Sequence, residues 1–326
     1  MEAYGVLGSS EEGAIFDYAP DVARVAIGIV NAYLVGTARQ WVLVDTGIAG
    51  FASVVRRAAE ARFGRGARPE AIVLTHGHFD HAGNADALAR EWDVPVLAHH
   101  FEMPYLTGQS DYPPPDPTVG GAIACLSRTF PARGRALSAR LYALSGQTIP
   151  GMTDWQWIHT PGHTAGHVSL FRRRDATLIA GDALATMDMD SWIEQVRRTP
   201  EPCNPPAPLT TDWDAARRSV ENLASLDPYA IAAGHGLPIA GEGVAEAMNR
   251  FCRRFAPPAR GRYAIAPAVA GPFGVEWIPP AVPDRLKRQV VGAALVVAGV
   301  VGLAIVARRR RVAVESGFGQ TGRRSG

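Results

Sequence analysis

Three histidines and one aspartate lie within six residues, directly after a short apolar segment. The segment THGHFDH covers residues 75–81 and supplies His76, His78, Asp80 and His81. Neutral imidazole and carboxylate are good ligands for Zn²⁺ and similar ions, and a turn at a strand end can direct several side chains into one pocket. A single histidine is more often structural, but core packing gives no reason for four such side chains together. The segment therefore predicts a metal site.

Three later positions have the same character. His163 follows a Pro-Gly pair, Asp182 ends the apolar segment TLIAGD, and His235 lies between two glycines after the apolar segment YAIAA. Ligands gathered from the ends of several strands are how a rigid scaffold builds a preorganised site. We therefore expect His163, Asp182 and His235 to lie near the first cluster.

Apolar and β-branched segments lead into these side chains, and amphipathic segments separate them. The sequence predicts strands over 71–75, 95–99, 155–160 and 229–233, and helices over about 51–63, 82–92, 211–226 and 244–255. Strands and helices mix in two successive halves. This pattern predicts a layered α/β architecture with helices outside two sheets.

The order of these motifs over roughly residues 25–240 resembles that of the metallo-β-lactamase superfamily, whose H-x-H-x-D-H motif is followed by a single histidine, a strand-end aspartate and a final histidine. The resemblance implies an αββα sandwich with a two-metal site. It also implies the ligand sets: His76, His78 and His163 for one metal ion, Asp80, His81 and His235 for the second, and Asp182 as the bridge between them.

The resemblance further implies supporting residues and a cofactor. Asp45 matches a family aspartate that supports the ligands, and His167 matches a family histidine that is not a primary ligand. The expected cofactor is two Zn²⁺ per chain, with iron or manganese as the alternative. Two such cations ~3.5 to 4 Å apart can share a water and lower its pKa, so that a metal-bridged hydroxide attacks the substrate. Asp80 is the expected catalytic residue that orients this hydroxide.

The presence of Asp182 favours the glyoxalase II-like and lactonase-like branch, because the β-lactamases of this superfamily generally lack the bridging aspartate. The sequence after Asp182 shows no Gly-rich stretch of the kind associated with true glyoxalase II. We therefore expect a hydrolase of a small-molecule ester, thioester or lactone. Two alternatives stay open: an iron-dependent enzyme like the persulfide dioxygenases, which needs only His76, His163 and Asp182, and a catalytically silent membrane-bound binding module.

Residues 101–150 contain clustered prolines and glycines, which predicts an insertion or lid over the site. The lid and residues 183–209 are expected to line the substrate pocket. Tyr105 and Tyr112 in the lid could polarise a substrate carbonyl, although single loop tyrosines are a weak signal. His99 and His100 are interpreted as a solvated loop pair, because no ligand spacing supports them.

The domain organisation predicted is a catalytic domain over 1–255, a Pro/Ala-rich linker over 256–289, a transmembrane helix over 290–307 and a basic tail over 308–326. The 18 residues from 290 to 307 are all apolar, and as a helix they span roughly 27 Å, close to the thickness of a hydrocarbon core. With 47% hydrophobic residues and a net charge of +2, the composition does not indicate nucleic-acid binding.

We expect a single-pass protein with a C-terminal anchor and a catalytic domain in the cytoplasm. The three cysteines form no C-x-x-C pair, which fits a reducing compartment, and no export signal is seen at the N-terminus. The positive-inside rule alone would place the catalytic domain outside the cytoplasm, because more basic residues follow the predicted anchor than precede it. Basic residues on both sides of the anchor weaken this bias. Ala294, Ala298 and Gly302 fall four residues apart, a spacing compatible with weak homodimerisation.

Overall fold

The computed structural model of this chain describes residues 5–6, 15–19 and 21–284. The first described residues form a short strand, β1 (Gly5–Val6), and the described residues up to Val282 belong to one compact unit. The predicted transmembrane helix at 290–307, its small-residue stripe and the basic tail lie outside the described residues and stay predictions. Within the described part of the chain, no helix combines the length and apolar character needed to cross a membrane.

The first sheet comes from the N-terminal half of the chain and has seven strands. They are β2 (Ile15–Ala19), β3 (Val22–Ile27), β4 (Val30–Thr37), β5 (Gln40–Val44), β6 (Ile72–Val73), β7 (Val96–Ala98) and β8 (Leu141–Ala143), in this spatial order. Pairing is antiparallel from β2 to β5 and parallel from β5 to β8. The parallel strands therefore end at one edge of the sheet.

The second sheet also has seven strands and comes mainly from the C-terminal half. After β1 they are β9 (Thr148–Ile149), β10 (Met152–His159), β11 (Val168–Arg172), β12 (Thr177–Gly181), β13 (Ala230–Ala233) and β14 (Ile239–Ala240). The spatial order is β1-β14-β13-β12-β11-β10-β9, with β12 and β13 parallel. Strand β1, from the first residues of the chain, thus completes the sheet of the second half.

The eight α-helices among the described residues are α1 (Ala52–Phe63), α2 (Ala85–Trp92), α3 (Met103–Leu106), α4 (Ala122–Leu126), α5 (Glu194–Arg197), α6 (Trp213–Ala224), α7 (Gly243–Arg254) and α8 (Arg262–Ile265). Helices α1 and α2 share a core with one face of the first sheet, and α6 and α7 share a core with one face of the second.

A third core lies between the sheets, and strand alternation explains how all three cores form. In β5, Trp41 and Leu43 contact the helices, whereas Val42 and Val44 contact the other sheet. Successive side chains of a strand point to opposite faces, so each strand supplies two layers. The predicted αββα sandwich is confirmed.

Cross-sheet hydrogen bonds join the two halves close to the ligand-bearing edge. Asn31 of β4 donates through its side-chain amide to the carbonyl oxygens of Ala233 (2.9 Å) and Gly236 (2.7 Å). The Tyr33 hydroxyl also donates to the Ala233 carbonyl, at 2.6 Å. These contacts hold the end of β13 against the first sheet.

The lid is shorter than the sequence predicts. Residues 141–143 and 148–149 form strands β8 and β9, one in each sheet, so the irregular segment covers only about residues 99–140. The α-helices within this segment, α3 and α4, are only 4 and 5 residues long.

The predicted linker also differs from the structure. Within residues 256–282, α8 is followed by a hairpin of β15 (Val269–Gly271) and β16 (Gly274–Trp277), and we name residues 256–282 the C-terminal clasp. The Arg262 amide donates to the Asp116 carboxylate, and the Tyr263 hydroxyl donates to the Pro114 carbonyl at 2.7 Å. The clasp therefore holds the lid, a contact that low hydrophobic periodicity in this segment did not reveal.

Candidate metal centre

The seven predicted ligands lie together at the strand ends that face the lid. All seven side chains are buried. His76, His78, Asp80 and His81 follow β6, His163 follows β10, Asp182 follows β12, and His235 follows β13. The sheets thus place side chains that are up to 159 residues apart in one pocket.

The geometry gives three overlapping groups that could hold an ion. These are His76 with His78 and His163, His76 with His81 and Asp182, and Asp80 with His81 and His235, and within each group the ligand atoms lie within 4.8 Å of one another. In the first group, Nδ1 of His78 lies 3.0 Å from Nε2 of His163. Two nitrogens bound to one tetrahedral Zn²⁺ at ~2.1 Å would lie about 3.4 Å apart, so a shared ion fits between them.

Hydrogen bonds on the outer side of His163 fix which ring nitrogen is free. The Thr210 hydroxyl donates to the Pro206 carbonyl at 2.9 Å, so it can only accept from Nδ1 of His163, 3.2 Å away. Nδ1 of His163 therefore carries the proton, and the lone pair of Nε2 faces the pocket.

The same arrangement holds for two ligands of the group formed by Asp80, His81 and His235. Nδ1 of His81 lies 2.8 Å from a carboxylate oxygen of Asp45, and Nδ1 of His235 lies 2.8 Å from the Ile29 carbonyl oxygen. Both acceptors require a proton on Nδ1. Nε2 of both rings is thereby left free to bind a metal ion.

Asp182 contacts ligands from both groups through one oxygen. Its Oδ2 lies 3.5 Å from Nε2 of His163, 3.5 Å from Nε2 of His81 and 3.3 Å from Nε2 of His235. Oδ2 of Asp80 lies 3.6 Å from Nε2 of His235 and closes the second group. A carboxylate between the two groups is where a bridging ligand would have to be.

Unpartnered polar atoms show that the residues fit metal ions. Nε2 of His76, Nε2 of His81 and Oδ1 of Asp182 are buried and have no hydrogen-bond partner among the described residues. Buried polar groups without a partner cost stability in proportion to their lost hydration. Three such atoms converging on one pocket are accounted for if cations coordinate them.

The electrostatics of the pocket favour ligand-competent forms of most of these groups. Burial lowers the pKa of His78 to about 3 and holds those of His76 and His163 well below the usual value, so these rings are neutral. Burial alone would raise the pKa of Asp182, but His235 and His81 hold it well below its usual range. Asp182 is therefore an ionised carboxylate, and it raises the pKa of its neighbours His81 and His235 while His76, His78 and His163 stay neutral.

Asp45 and His167 support the ligands, as the resemblance implies. Asp45 accepts from the Thr75 amide and hydroxyl, both at 2.8 Å, as well as from His81. Nε2 of His167 accepts from the Asp182 amide at 2.8 Å. Because its Nε2 lone pair is already used, His167 has no free lone pair for a metal on that side.

One lid residue differs from the sequence interpretation, and another was not singled out by it. His99 is buried rather than solvated: its ring stacks on His159, with centroids 4.1 Å apart. His100 is exposed, as expected. Sequence reasoning missed Glu102, which is fully buried and accepts a hydrogen bond from Tyr112. Its one signal is its position, just after β7 at the edge where the ligand loops lie.

A cleft of about 380 Å³ opens beside His163. Its walls are largely apolar and come from the lid, the loop after β10, the start of α6 and the C-terminal clasp. Phe101 and Tyr105 form the lid wall, Ala268 belongs to the clasp, and Arg218 is the one arginine among the lining residues. The volume lies within the range of small-molecule sites, ~300 to 1,000 Å³. Residues 183–209, expected in the pocket, do not line this cleft.

Comparisons with known proteins agree on the family. The family model described as metallo-beta-lactamase superfamily matches residues 25–235. YflN of Bacillus subtilis (strain 168), described as a probable metallo-hydrolase, is 38% identical over 258 residues, which cover 78% of this chain and 98% of YflN. The Bos taurus acyl-coenzyme A thioesterase MBLAC2 is 27% identical over 179 residues, 51% of this chain and 62% of MBLAC2.

Among solved structures, the metallo-β-lactamase SMB-1 bound to 2-mercaptoethanesulfonate aligns with a TM-score of 0.51 and 17% identity. The alignment covers 75% of this chain and 95% of SMB-1. At this identity the likeness concerns the fold alone.

Proposed function

Because the chain belongs to the metallo-beta-lactamase superfamily, we propose that it is a dinuclear zinc hydrolase of an ester, thioester or lactone. One observation carries the proposal: Oδ2 of Asp182 lies within 3.5 Å of imidazole nitrogens from both ligand groups. A single-metal site of His76, His163 and Asp182 would need this carboxylate, but it would not need the same oxygen to reach His81 and His235 as well.

In this proposal His76, His78 and His163 would hold one ion, Asp80, His81 and His235 would hold the other, and Asp182 would serve both. When bound, two zinc ions supply a water of lowered pKa and a Lewis acid for the substrate carbonyl. The chain supplies the orientation, because the outer hydrogen bonds to Thr210, Asp45 and Ile29 hold the imidazole rings with Nε2 toward the pocket.

Asp80 is the proposed catalytic residue. Its carboxylate is buried, and burial raises its pKa despite the opposing effect of His81 and His235. A carboxylate of raised pKa is a better proton acceptor, so Asp80 can accept a hydrogen bond from the attacking water and orient its oxygen. Hydrolysis then adds water across the acyl bond and gives a carboxylic acid and an alcohol or thiol.

The cleft supports an acyl substrate with an apolar body. Pro113, Ala165 and Ala268 present apolar surface beside His163, and Arg218 could pair with an anionic group on the substrate. The name of the relative MBLAC2 supports a thioester within the proposed class. A cleft whose walls carry few hydrogen-bond donors distinguishes substrates by their shape rather than by a particular polar head group.

The test is hydrolysis by the purified full chain in parallel panels of thioesters, oxoesters, lactones, phosphodiesters and β-lactams, with metal analysis of the same sample. We expect two zinc ions per chain and turnover of at least one acyl class. Turnover confined to phosphodiesters or β-lactams would refute the substrate class. One iron per chain, with oxygen uptake on a persulfide, would replace the hydrolase by the dioxygenase alternative.

A further inference from the structure

The carboxylate of Glu102 is fully buried and receives four hydrogen bonds. Oε2 accepts from the Gly77 amide at 2.9 Å and from the Tyr112 hydroxyl. Oε1 accepts from the Thr164 hydroxyl at 2.7 Å and from the Gly166 amide at 3.0 Å. Each oxygen therefore has two donors, which nearly fills its capacity as an acceptor.

These donors lie next to the ligands of one group, His76, His78 and His163, although the first of the two loops also carries Asp80 and His81 further along. Gly77 lies between His76 and His78, and Thr164 directly follows His163. One oxygen of Glu102 thus holds the first loop, and the other oxygen holds the second. The distance of 3.0 Å between the facing nitrogens of His78 and His163 depends on how these two loops are held relative to each other.

The glycines in both loops are explained by the close approach of this cluster. A Cβ atom on Gly77 would collide with the Tyr112 hydroxyl and lie 2.8 Å from Leu106. A Cβ atom on Gly166 would lie 2.8 Å from Oε1 of Glu102. Neither glycine has a positive φ, so the lack of space, not the backbone conformation, requires glycine here.

Holding the lid alone does not require a buried carboxylate. Burying an ionised group costs free energy that an apolar side chain in the same place would not cost. The backbone amides of Gly77 and Gly166 approach Glu102 from two loops, and each needs its own acceptor. A carboxylate offers two oxygens, and both can only accept. A glutamine offers one acceptor and one donor, so it would leave one of the two amides facing a donor.

We propose that Glu102 is a positioning residue for the metal subsite of His76, His78 and His163, and that Tyr112 connects this subsite to the lid. The proposal rests on the dinuclear function proposed above. The second subsite, formed by Asp80, His81 and His235, makes no contact with Glu102 among the described hydrogen bonds. Loss of the Glu102 carboxylate should therefore affect the two subsites unequally.

The experiment compares Glu102→Gln with the control Glu221→Gln, an exposed residue of α6. Each full-length protein is loaded with Zn²⁺ and titrated with a chelator. We expect Glu102→Gln to release one of its two ions at a roughly 10- to 100-fold lower chelator concentration than the wild type and to keep the other ion. Loss of a residue that orients a metal ligand usually lowers metal affinity by this factor. The control should match the wild type. Release of both ions together, or of neither, would overturn the proposal.

A second readout does not depend on metal. In the metal-free chains, amide hydrogen exchange at Gly77 and Gly166 should be faster in Glu102→Gln than in the wild type, and unchanged in the control. Unchanged exchange at both glycines would also overturn the proposal. If the wild type binds fewer than two zinc ions, the dinuclear function fails on its own, and this exchange still tests whether Glu102 holds the two loops.

Thr164→Val keeps the proposal testable if Glu102→Gln does not fold. This change keeps the side-chain shape, removes one donor from Oε1 and leaves the carboxylate in place. We expect weaker retention of the same single ion, by a smaller factor than for Glu102→Gln. Tyr112→Phe removes one donor from Oε2 and should weaken retention of the same ion by a similarly small factor. Wild-type zinc retention in Thr164→Val would count against the positioning role of Glu102.

Discussion

The ligand loops and the lid show how differently two parts of one site depend on sequence. In the ligand loops, each functional atom belongs to a side chain, and only a few residue types can supply it. The contacts between lid and clasp each use one backbone group: Arg262 donates through its amide to the Asp116 carboxylate, and the Tyr263 hydroxyl donates to the Pro114 carbonyl. The backbone partner of each contact sets no requirement on residue type, so these contacts leave little pattern in the sequence. Substitutions of the ligands should therefore cost metal and turnover, whereas those at the contact between lid and clasp should cost affinity or stability.

The largest effect is expected for Asp182→Asn. Without the anion between them, two unit positive charges ~4 Å apart repel by about 4 kcal/mol at an effective dielectric constant of 20, and divalent ions repel more. We expect loss of both zinc ions and a fall in kcat/KM of at least roughly 10³-fold. Metal analysis and hydrolysis rates check this, with the exposed residue changed in Asp214→Asn as control. A variant with two zinc ions and normal turnover would refute the bridging role.

Acid should remove metal next. Burial disfavours the charged form of His81, but Asp182 and Asp45 outweigh burial and raise its pKa well above the usual value. Without metal, His81 therefore keeps a proton that an incoming ion must displace. Binding releases protons, so affinity rises with pH and falls as the pH drops, with loss expected below about pH 6. Zinc content and turnover after dialysis at each pH provide the measurement. Constant values from pH 5 to 8 would contradict it.

His167→Ala sharpens the distinction between ligand and support. The change removes the acceptor of the buried Asp182 amide, so we expect a loss in unfolding free energy of about 1 to 3 kcal/mol. Both zinc ions should remain at saturating metal, with activity reduced by no more than about 100-fold. Thermal unfolding and metal stoichiometry together test this. Loss of one ion at saturating zinc would make His167 a ligand.

The smallest effect is expected in the C-terminal clasp. Tyr263→Phe removes one hydrogen bond to the lid, which is worth about 1 kcal/mol of unfolding free energy. Zinc content should not change. Tyr229→Phe, at a tyrosine that is 51% exposed, is the matched control. Denaturant unfolding gives the free energies, and zinc loss in Tyr263→Phe would show that lid and metal centre are not separable in this way.

Much of the site was predictable because metal chemistry restricts residue types. The strand-end positions of His76, Asp182 and His235 follow from apolar segments that end at polar side chains, and strand alternation gives the sandwich. Glu102 was not predictable, because a single acidic residue in a proline-rich segment resembles a solvated one. The clasp was missed because helix α8 and the two strands after it are too short to produce a periodic pattern. Long-range hydrogen bonds of side chains, several of them to backbone groups, decide both.

The hydrogen bonds from Asn31 and Tyr33 to the end of β13 have a consequence for protein synthesis. Their acceptor, Ala233, and the ligand His235 are made about 150 residues after His81, which takes a ribosome roughly 8 to 30 s at ~5 to 20 residues per second. During that interval the nascent chain carries the first four ligands, gains His163 and then Asp182, and still lacks His235. Completion of the site with all seven of these side chains must therefore wait until translation has passed His235.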